Sequence, residues 1–113
     1  MTKTQIKDYL KQIEKCGGKL ITFNSNKYVS KGMKSFVDHI IFFKNLILFI
    51  EVKIGKDKLS AGQTGMKHFL TDFCSQNNYC FYLIVNEKNY SYVTEYLAVK
   101  DTYKLKYFNE LIF

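Results

Sequence analysis

The stretch that decides the fold is Phe36–Lys53, FVDHIIFFKNLILFIEVK. It contains two apolar runs, Phe36–Phe43 and Leu46–Lys53, separated by Lys44-Asn45. Two apolar runs joined by two polar residues, one of them an Asn that tolerates positive φ, predict a β-hairpin with a tight turn.

The register of the hairpin brings two acidic side chains together. If Phe43 pairs with Leu46, Asp38 lies directly opposite Glu51, and a four-residue loop centred on the same bond keeps that register. Side chains alternate between the faces of a strand, so Asp38, Glu51 and Lys53 share one face, with the opposed carboxylates about 5 Å apart at Cβ. All three are predicted at the open end of the hairpin, away from the turn.

The opposed carboxylates indicate a metal site. Two such groups repel each other, and a divalent cation between them would remove that cost. Mg²⁺ takes one or two carboxylates, a backbone carbonyl and waters, and is often shared with substrate phosphate oxygens. Asp38, Glu51 and the backbone carbonyl of Val52 could supply this set, while Lys53 could hold or help deprotonate an attacking water. The predicted chemistry is metal-assisted hydrolysis of a phosphodiester.

A family resemblance follows from these residues. The pattern D-x(12)-E-x-K beginning at Asp38, followed by Gln63 at the head of a predicted helix, resembles the PD-(D/E)XK nuclease superfamily. More closely, Lys31–Leu70 is similar to the VRR-NUC domain. In that domain a Gly-containing loop leads into the aspartate, a hairpin carries Glu-x-Lys, and a basic loop leads to Ser-x-x-Gln at the start of a helix.

The resemblance implies a restriction-endonuclease-like three-layer fold with a central mixed β-sheet flanked by helices. It implies that Asp38 and Glu51 bind Mg²⁺ or Mn²⁺, that Lys53 and Gln63 complete the catalytic site, and that the substrate is DNA. Val37 stands where the family usually has Pro. The acidic residue that the family carries on its first helix has no clear counterpart, the imperfect candidates being Gln5, Asp8 and Glu14.

The charge balance favours a polyanionic partner. The chain of 113 residues carries a formal net charge of +7, and lysines near phosphates release condensed counterions on binding. A solvated basic surface is the alternative interpretation. The residues predicted to contact DNA flank the open end of the hairpin and are Lys31, Lys34, Lys56, Lys58 and Ser60.

The remaining elements complete a single α/β domain with a mixed sheet. Their order is helix, strand, hairpin, helix, strand, helix, and the strand after the crossover helix should be parallel to its neighbour. Capping boxes are predicted at Thr2-x-x-Gln5 and Ser60-x-x-Gln63. The predicted spans are a helix at Lys3–Lys15 ended by Gly17-Gly18, a strand at Lys19–Asn24, a strand at Tyr79–Val85 and a helix at Lys88–Ala98.

The helix after the hairpin and the tail are the last two elements with a predicted pattern. The helix that begins at Ser60 is predicted to bury the stripe Met66, Phe69, Leu70, Phe73 and Cys74. Gln63 has two interpretations, as a helix-capping side chain or as a contact of metal-bound water or the scissile phosphate. The tail alternates at Tyr103, Leu105 and Tyr107, which is typical of an edge strand.

Histidines and cysteines carry little predicted chemistry. His39 alternates away from Asp38 and is predicted to be a satisfied or half-buried histidine, while His68 is predicted to be exposed. Cys16, Cys74 and Cys80 are odd in number and lack C-x-x-C spacing, so buried, reduced thiols are expected and zinc ligation is not. Without a signal sequence or a long apolar run, we expect an intracellular, cytoplasmic protein with no membrane contact. The sequence is rich in residues that A/T-rich codons encode, such as Lys, Asn and Ile, which fits an A/T-rich genome such as that of a phage, with the protein in the host cytoplasm, or of a low-GC bacterium.

The leading functional hypothesis is therefore a Mg²⁺- or Mn²⁺-dependent DNA endonuclease. Similarity to junction resolvases implies branched DNA as substrate, for which a homodimer would supply two active sites related by a dyad. The terminal segment, which includes Tyr107 and Phe113, is predicted to contribute to the dimer interface. Two alternatives remain open: a DNA-binding module or nuclease subunit without activity of its own, and an unrelated interaction protein with no affinity for divalent metals.

Overall fold

The computed structural model describes residues 1–23 and 36–111. Within them the chain folds as an α/β domain around a four-stranded mixed sheet of order β1-β2-β3-β4. The elements in chain order are α1 (Lys3–Leu10), a 3₁₀ helix (Lys11–Cys16), β1 (Lys19–Thr22), β2 (His39–Phe43), β3 (Leu46–Val52), α2 (Ala61–Ser75), β4 (Cys80–Val85), α3 (Tyr90–Ala98), α4 (Thr102–Lys106) and a second 3₁₀ helix (Phe108–Glu110).

The predicted hairpin and its register are confirmed. β2 and β3 pair antiparallel from Phe43 opposite Leu46 to His39 opposite Ile50, with Lys44-Asn45 as the turn. The residue with positive φ in this turn is Lys44 at 52°. The turn therefore uses a left-handed conformation at the first of its two central residues, where the sequence predicted it for the Asn.

The crossover to β4 is also confirmed. β4 runs parallel to β3, from Cys80 opposite Ile47 to Val85 opposite Val52, and α2 makes the connection. The amide of Lys53 donates to the carbonyl of Val85 at 2.9 Å, so the pairing continues one residue past the end of β3. The end of β3, where the candidate site lies, is therefore held on one side by the edge strand β4 and belongs to an inner strand of the sheet.

Both predicted capping boxes form. Thr2 and Gln5 exchange hydrogen bonds at the start of α1, and Ser60 and Gln63 do so at the start of α2. Gly17 ends the first helical segment with a φ of +90°, a conformation that glycine adopts at no steric cost. The first helix is shorter than predicted, because its second half, Lys11–Cys16, winds as a 3₁₀ helix.

The two faces of the sheet are covered by different helices. One hydrophobic cluster joins Leu48 and Ile50 of β3 to residues of α1, α3 and α4, such as Ile6, Leu97 and Leu105. The other cluster lies on the opposite face and includes Leu70 of α2 together with strand residues. Because α2 covers this second face alone among the described helices, its outer flank stays open: Phe69 is 65% and Phe73 43% exposed. The prediction that these two rings belong to the buried stripe is wrong.

The end of the chain differs from its prediction. Thr102–Lys106 is a helix rather than an edge strand, with the side chain of Asp101 accepting a hydrogen bond from the Lys104 amide. Leu105 and Phe108, each 1% exposed, are three residues apart and pack into the core, so the helical period prevails over the alternation of the tyrosines. The tail is thus part of the core, while Tyr103 and Tyr107 remain exposed and Phe113 lies outside the described residues.

The side chain of Asn109 protects the free edge of β4. Its Oδ1 accepts from the amide of Ile84 at 2.7 Å, and its Nδ2 donates to the carbonyl of Tyr82 at 2.9 Å. An edge strand with paired backbone groups cannot recruit another strand there. At this edge of the sheet the tail therefore pairs with β4 through the side chain of Asn109, and not through a predicted edge strand.

Two smaller predictions are also tested. All three cysteines are free, but Cys16 is exposed, so the expectation of a buried thiol is wrong there. None of the helices in residues 1–23 and 36–111 combines the length and apolar character needed to span a lipid bilayer.

Candidate active site at the open end of the hairpin

Glu51 is the central residue of the candidate site. It is the penultimate residue of β3 and only 2% exposed. Its Oε1 accepts a hydrogen bond from Nε2 of Gln63 at 2.9 Å and lies 3.6 Å from Nζ of Lys53. A buried carboxylate is tolerated only when it is hydrogen-bonded and paired with charge, and these two side chains supply both.

Gln63 caps the helix, as the first of its two interpretations has it, and the same side chain also reaches Lys53 and Glu51, while a contact with metal-bound water or the scissile phosphate stays a prediction. Its Oε1 accepts from the backbone amide of Ser60 at 2.9 Å, which completes the capping box, and from Nζ of Lys53 at 2.9 Å. Its Nε2 is directed at Glu51. One carboxamide therefore joins the start of α2 to the end of β3 and holds the ammonium and the carboxylate in a fixed arrangement.

Asp38 lies just beyond the regular part of β2. The paired residues end at His39 and Ile50, so the predicted direct opposition of Asp38 and Glu51 is not part of the ladder. The Asp38 amide donates to the Ile50 carbonyl at 3.0 Å, whereas the Asp38 carbonyl accepts from the Phe23 amide at 2.9 Å. The two backbone groups of this residue therefore bond to opposite neighbouring strands.

The alternation of side chains breaks at the same place. Val37 and Ile40 belong to the same hydrophobic cluster, although strict alternation would put them on opposite faces. An irregularity of this kind re-aims a side chain at a strand end and is common beside functional sites. This is why a prediction from strict period-2 geometry locates Asp38 at the correct end of the hairpin but not in the correct pairing.

The side chain of Asp38 reaches the end of β3. Its Oδ2 accepts from the amide of Val52 at 2.8 Å. The amide and carbonyl of one residue in an extended strand point to the same edge, so the Val52 carbonyl is directed toward Asp38 as well. Within residues 1–23 and 36–111, no further hydrogen bond engages Oδ1 of Asp38 or Oε2 of Glu51. Asp38 therefore contacts the backbone of the residue after Glu51, and its charge acts on Glu51, while the ligand set of Asp38, Glu51 and the Val52 carbonyl stays a prediction.

The electrostatics of Glu51 reflect a repulsion that the protein only partly compensates. The pKa of Glu51 is raised to about 7: burial is the largest cause, the nearby charge of Asp38 acts in the same direction, and Lys53 opposes both. Burial likewise raises the pKa of the Tyr82 phenol, with the charges of Glu51 and Asp38 adding to the effect. Tyr82 thus stays protonated near the two carboxylates. The apolar run Tyr79–Val85 did not predict that one of its residues would lie near the site.

The first helix approaches Asp38 with lysines rather than with an acid. A groove of about 220 Å³ is lined by Lys3, Thr4, Lys7, Asp38, His39 and Val52, among others. Of the acidic candidates, Glu14 instead accepts from the Leu20 amide at 3.2 Å and lies 3.6 Å from Lys19. Gln5 is occupied by its capping box. Asp8 is exposed and does not line this groove.

The histidines behave as predicted. His39 is 5% exposed, and its Nδ1 lies 3.0 Å from Oγ1 of Thr22. Burial lowers the pKa of His39; the charge of Asp38 opposes this shift, and the charges of Lys7 and Lys3 add to it. His39 is therefore a neutral, hydrogen-bonded histidine in the wall of the groove, and His68 is exposed on α2.

The predicted DNA-binding residues are only partly described. Lys56 and Lys58 are exposed on the loop that follows β3, and Ser60 is the N-cap of α2. Lys31 and Lys34 lie outside the described residues. The basic loop therefore presents two lysines to solvent near the end of β3.

The donor set fits Mg²⁺ or Mn²⁺ better than a metal that needs many protein ligands. In the part of the chain that the structure describes, no group of three or more His, Cys, Asp or Glu side chains is arranged to hold a metal ion. A hard cation that keeps several waters needs only one or two carboxylates and a carbonyl oxygen. Asp38, Glu51 and the Val52 carbonyl provide these oxygens, and the raised pKa of Glu51 shows where positive charge would be stabilising.

Comparisons with known proteins leave the family open: no protein-family model matches the chain, and neither the curated proteins nor the solved structures contain a significant match.

Proposed function

We propose that this chain is a metal-dependent DNA endonuclease that hydrolyses phosphodiester bonds with Mg²⁺ or Mn²⁺. The proposal includes a restriction-endonuclease-like three-layer arrangement, a branched substrate such as a four-way junction, and a homodimer as the active form. The observation that carries it is the buried carboxylate of Glu51, held by Gln63 and Lys53 next to Asp38 at one end of the sheet. A buried group with a strongly raised pKa and defined partners is typical of functional sites.

Each residue has a distinct role in this proposal. Asp38 and Glu51, with the Val52 carbonyl, would hold the cation, which when bound supplies Lewis-acid polarisation of the phosphate and a more acidic water. Lys53 holds the attacking water and neutralises charge that develops on the phosphate. Gln63 orients Lys53 and Glu51 relative to each other through its two hydrogen bonds, at 2.9 Å each.

The substrate class follows from charge and access. The site lies at the end of β3, from which the exposed Lys56 and Lys58 extend, and the net charge of the chain is +7. Lysines of this kind bind the phosphate backbone without reading sequence. A preference for branched DNA would then arise from shape and from two sites related by a dyad.

The test is incubation of labelled duplex, nicked, flapped and four-way-junction DNA with the protein in Mg²⁺, Mn²⁺ or EDTA. We expect cleavage that depends on metal, is strongest on the branched substrate and is lost in Asp38→Asn. The matched control is Asp72→Asn, which removes an equal charge from the exposed side of α2 and should cleave like the wild type.

Binding without cleavage by the wild-type protein in both metals would replace this proposal with that of a DNA-binding module or an inactive subunit. Cleavage that persists in Asp38→Asn would remove Asp38 from the site. Equal cleavage of all four substrates would retain the nuclease and reject the preference for branched DNA.

A further inference from the structure

The groove beside Asp38 has a wall made by the first helix, which no part of the predicted site included. Lys3 and Lys7 are four residues apart on α1 and therefore lie on the same side of the helix, one turn apart. Both line the groove together with Asp38 and His39. The first helix thus contributes two ammonium groups to the surface that continues from the candidate active site.

The balance of charge in this groove favours an anion. Asp38 is its acidic member, and it is engaged through Oδ2 by the Val52 amide. His39 is buried against Thr22 and adds no charge. The two lysines therefore leave the groove with a net positive charge, although it begins at a carboxylate.

Lys3 already has an anionic partner, but a weak one. Its Nζ lies 3.7 Å from Oδ2 of Asp57, with the two side chains 46% and 48% exposed. Ion pairs this exposed contribute little and exchange readily for another anion. A phosphate entering the groove would compete with Asp57 for Lys3 at small cost.

We infer that Lys3 and Lys7 bind the phosphodiester backbone of the DNA strand next to the phosphate held at Asp38 and Glu51. The inference rests on the proposed function, because it assigns the path that the substrate strand follows away from the active site. Asp38 belongs both to the site and to the groove, so a strand held at the site has its neighbouring phosphates within reach of α1. Ammonium groups recognise phosphate as point charges, and this contact carries no base specificity.

The experiment measures the salt dependence of DNA binding in EDTA, where no cleavage occurs, with a labelled duplex and a labelled four-way junction. The double variant Lys3→Gln/Lys7→Gln should make the negative slope of log K against log salt shallower by about 1.8, since each phosphate contact on duplex DNA accounts for about 0.9. The control is Lys15→Gln/Lys44→Gln, which removes the same charge from two exposed lysines outside the groove. Its slope should match that of the wild type, because neither lysine contacts the strand.

Two further variants separate binding from folding. Lys3→Arg/Lys7→Arg keeps both charges and should restore the slope, which a merely structural role for the lysine stems would not predict. Asp57→Asn removes the competing carboxylate and should strengthen binding, because Lys3 is then available to phosphate. In Mg²⁺ the double Gln variant should raise KM for cleavage and retain kcat, as expected when uniform binding is removed.

Failure of the inference and failure of the proposed function are distinguishable. Metal-dependent cleavage by the wild type, with equal slopes for the groove and control variants, would overturn the inference alone. No cleavage by the wild type under any condition would overturn the nuclease, and a slope that still depends on Lys3 and Lys7 would then leave these lysines as part of a binding surface.

Discussion

The two ends of the β2–β3 hairpin are built from the same kind of apolar strand but treat charge in opposite ways. At the turn end, Lys44 is exposed, and its Nζ lies 5.3 Å from the centre of the Phe43 ring. At the open end, Glu51 is 2% exposed and Asp38 half-buried. A charged group in water costs little free energy. A buried carboxylate without a partner costs on the order of several kcal/mol.

This difference is the reason for locating the candidate site at the open end. The turn end follows local rules, with a regular ladder and a polar two-residue turn. The open end breaks regular alternation at Asp38 and keeps Glu51 in place only through Gln63 and Lys53. Local irregularity and costly burial together are expected where a protein holds a site, and not where it only needs a turn.

Among the changes that test the contrast between the two ends, the largest effect is expected at Gln63, which belongs to both the helix cap and the site. Gln63→Glu keeps a residue that serves in a capping box but replaces the Nε2 donor to Glu51 by a carboxylate. We expect metal-dependent cleavage to fall by about 10- to 100-fold, the usual loss when a residue that orients metal ligands is removed. Cleavage rates and thermal unfolding of the same preparations measure this.

The matched control is Ser60→Ala, which weakens the cap and leaves the carboxamide of Gln63 in place. It should lower stability by about 1 kcal/mol and keep kcat at saturating DNA below the unfolding temperature, because the predicted contact of Ser60 with DNA affects binding and not the reacting atoms. If instead Ser60→Ala and Gln63→Glu lose activity equally, Gln63 acts through the cap, and the contrast between the two ends of the hairpin loses its main support.

The next effect concerns the stability of the metal-free protein. The pKa of Glu51 rises from its ordinary value of 4.5 to about 7 in the folded state. Between pH 4.5 and about pH 7 the folded protein therefore binds more protons than the unfolded one. Stability therefore falls as pH rises through that window. Glu51→Gln should remove the fall and become more stable than the wild type by at most about 3 kcal/mol above pH 7.

Chemical denaturation at the two ends of that window, in EDTA, measures the difference. Adding Mg²⁺ above pH 7 should restore the wild type but not Glu51→Gln, since only the native site with its carboxylate gains binding energy. Glu95→Gln, an exposed change on α3, should follow the wild type throughout. A wild-type stability that is flat across the window and insensitive to Mg²⁺ would show that Glu51 is a satisfied structural carboxylate.

The smallest effect is expected at the turn end. Lys44 has a φ of 52°, a left-handed conformation that Asn adopts with less strain than Lys. Lys44→Asn should therefore raise the free energy of unfolding by about 0.5–1 kcal/mol and leave cleavage unchanged. Denaturant titration and the junction assay test both parts, and a loss of activity here would mean that the two ends of the hairpin are not independent.

Much of the fold could be predicted from the sequence, since it depends on neighbours in the chain. Alternation and the Lys44-Asn45 turn fix the register of β2 and β3, and Ser60-x-x-Gln63 fixes the start of α2. Each of these is a relation between residues a few positions apart. For the same reason the open end of the hairpin, with Glu51 and Lys53 on one face, was predictable.

The tertiary structure decided what depends on residues far apart in the chain. The bond between Phe23 and Asp38 joins β1 to the start of β2 and accompanies the break in alternation there, which no local pattern encodes. Leu105 and Phe108 are buried because α4 meets the core, and Phe69 is exposed because no described helix covers the flank of α2.

The candidate site divides in the same way. The sequence by itself determined its chemical identity, two carboxylates and a lysine at one end of a hairpin, because β-strand geometry converts spacing directly into position. Only the tertiary structure decided that Gln63 contacts Lys53 and Glu51, and that Lys3 reaches the groove beside Asp38. These contacts join helices to strands across the core, where packing of whole elements, and not the spacing of residues along the chain, sets which side chains meet.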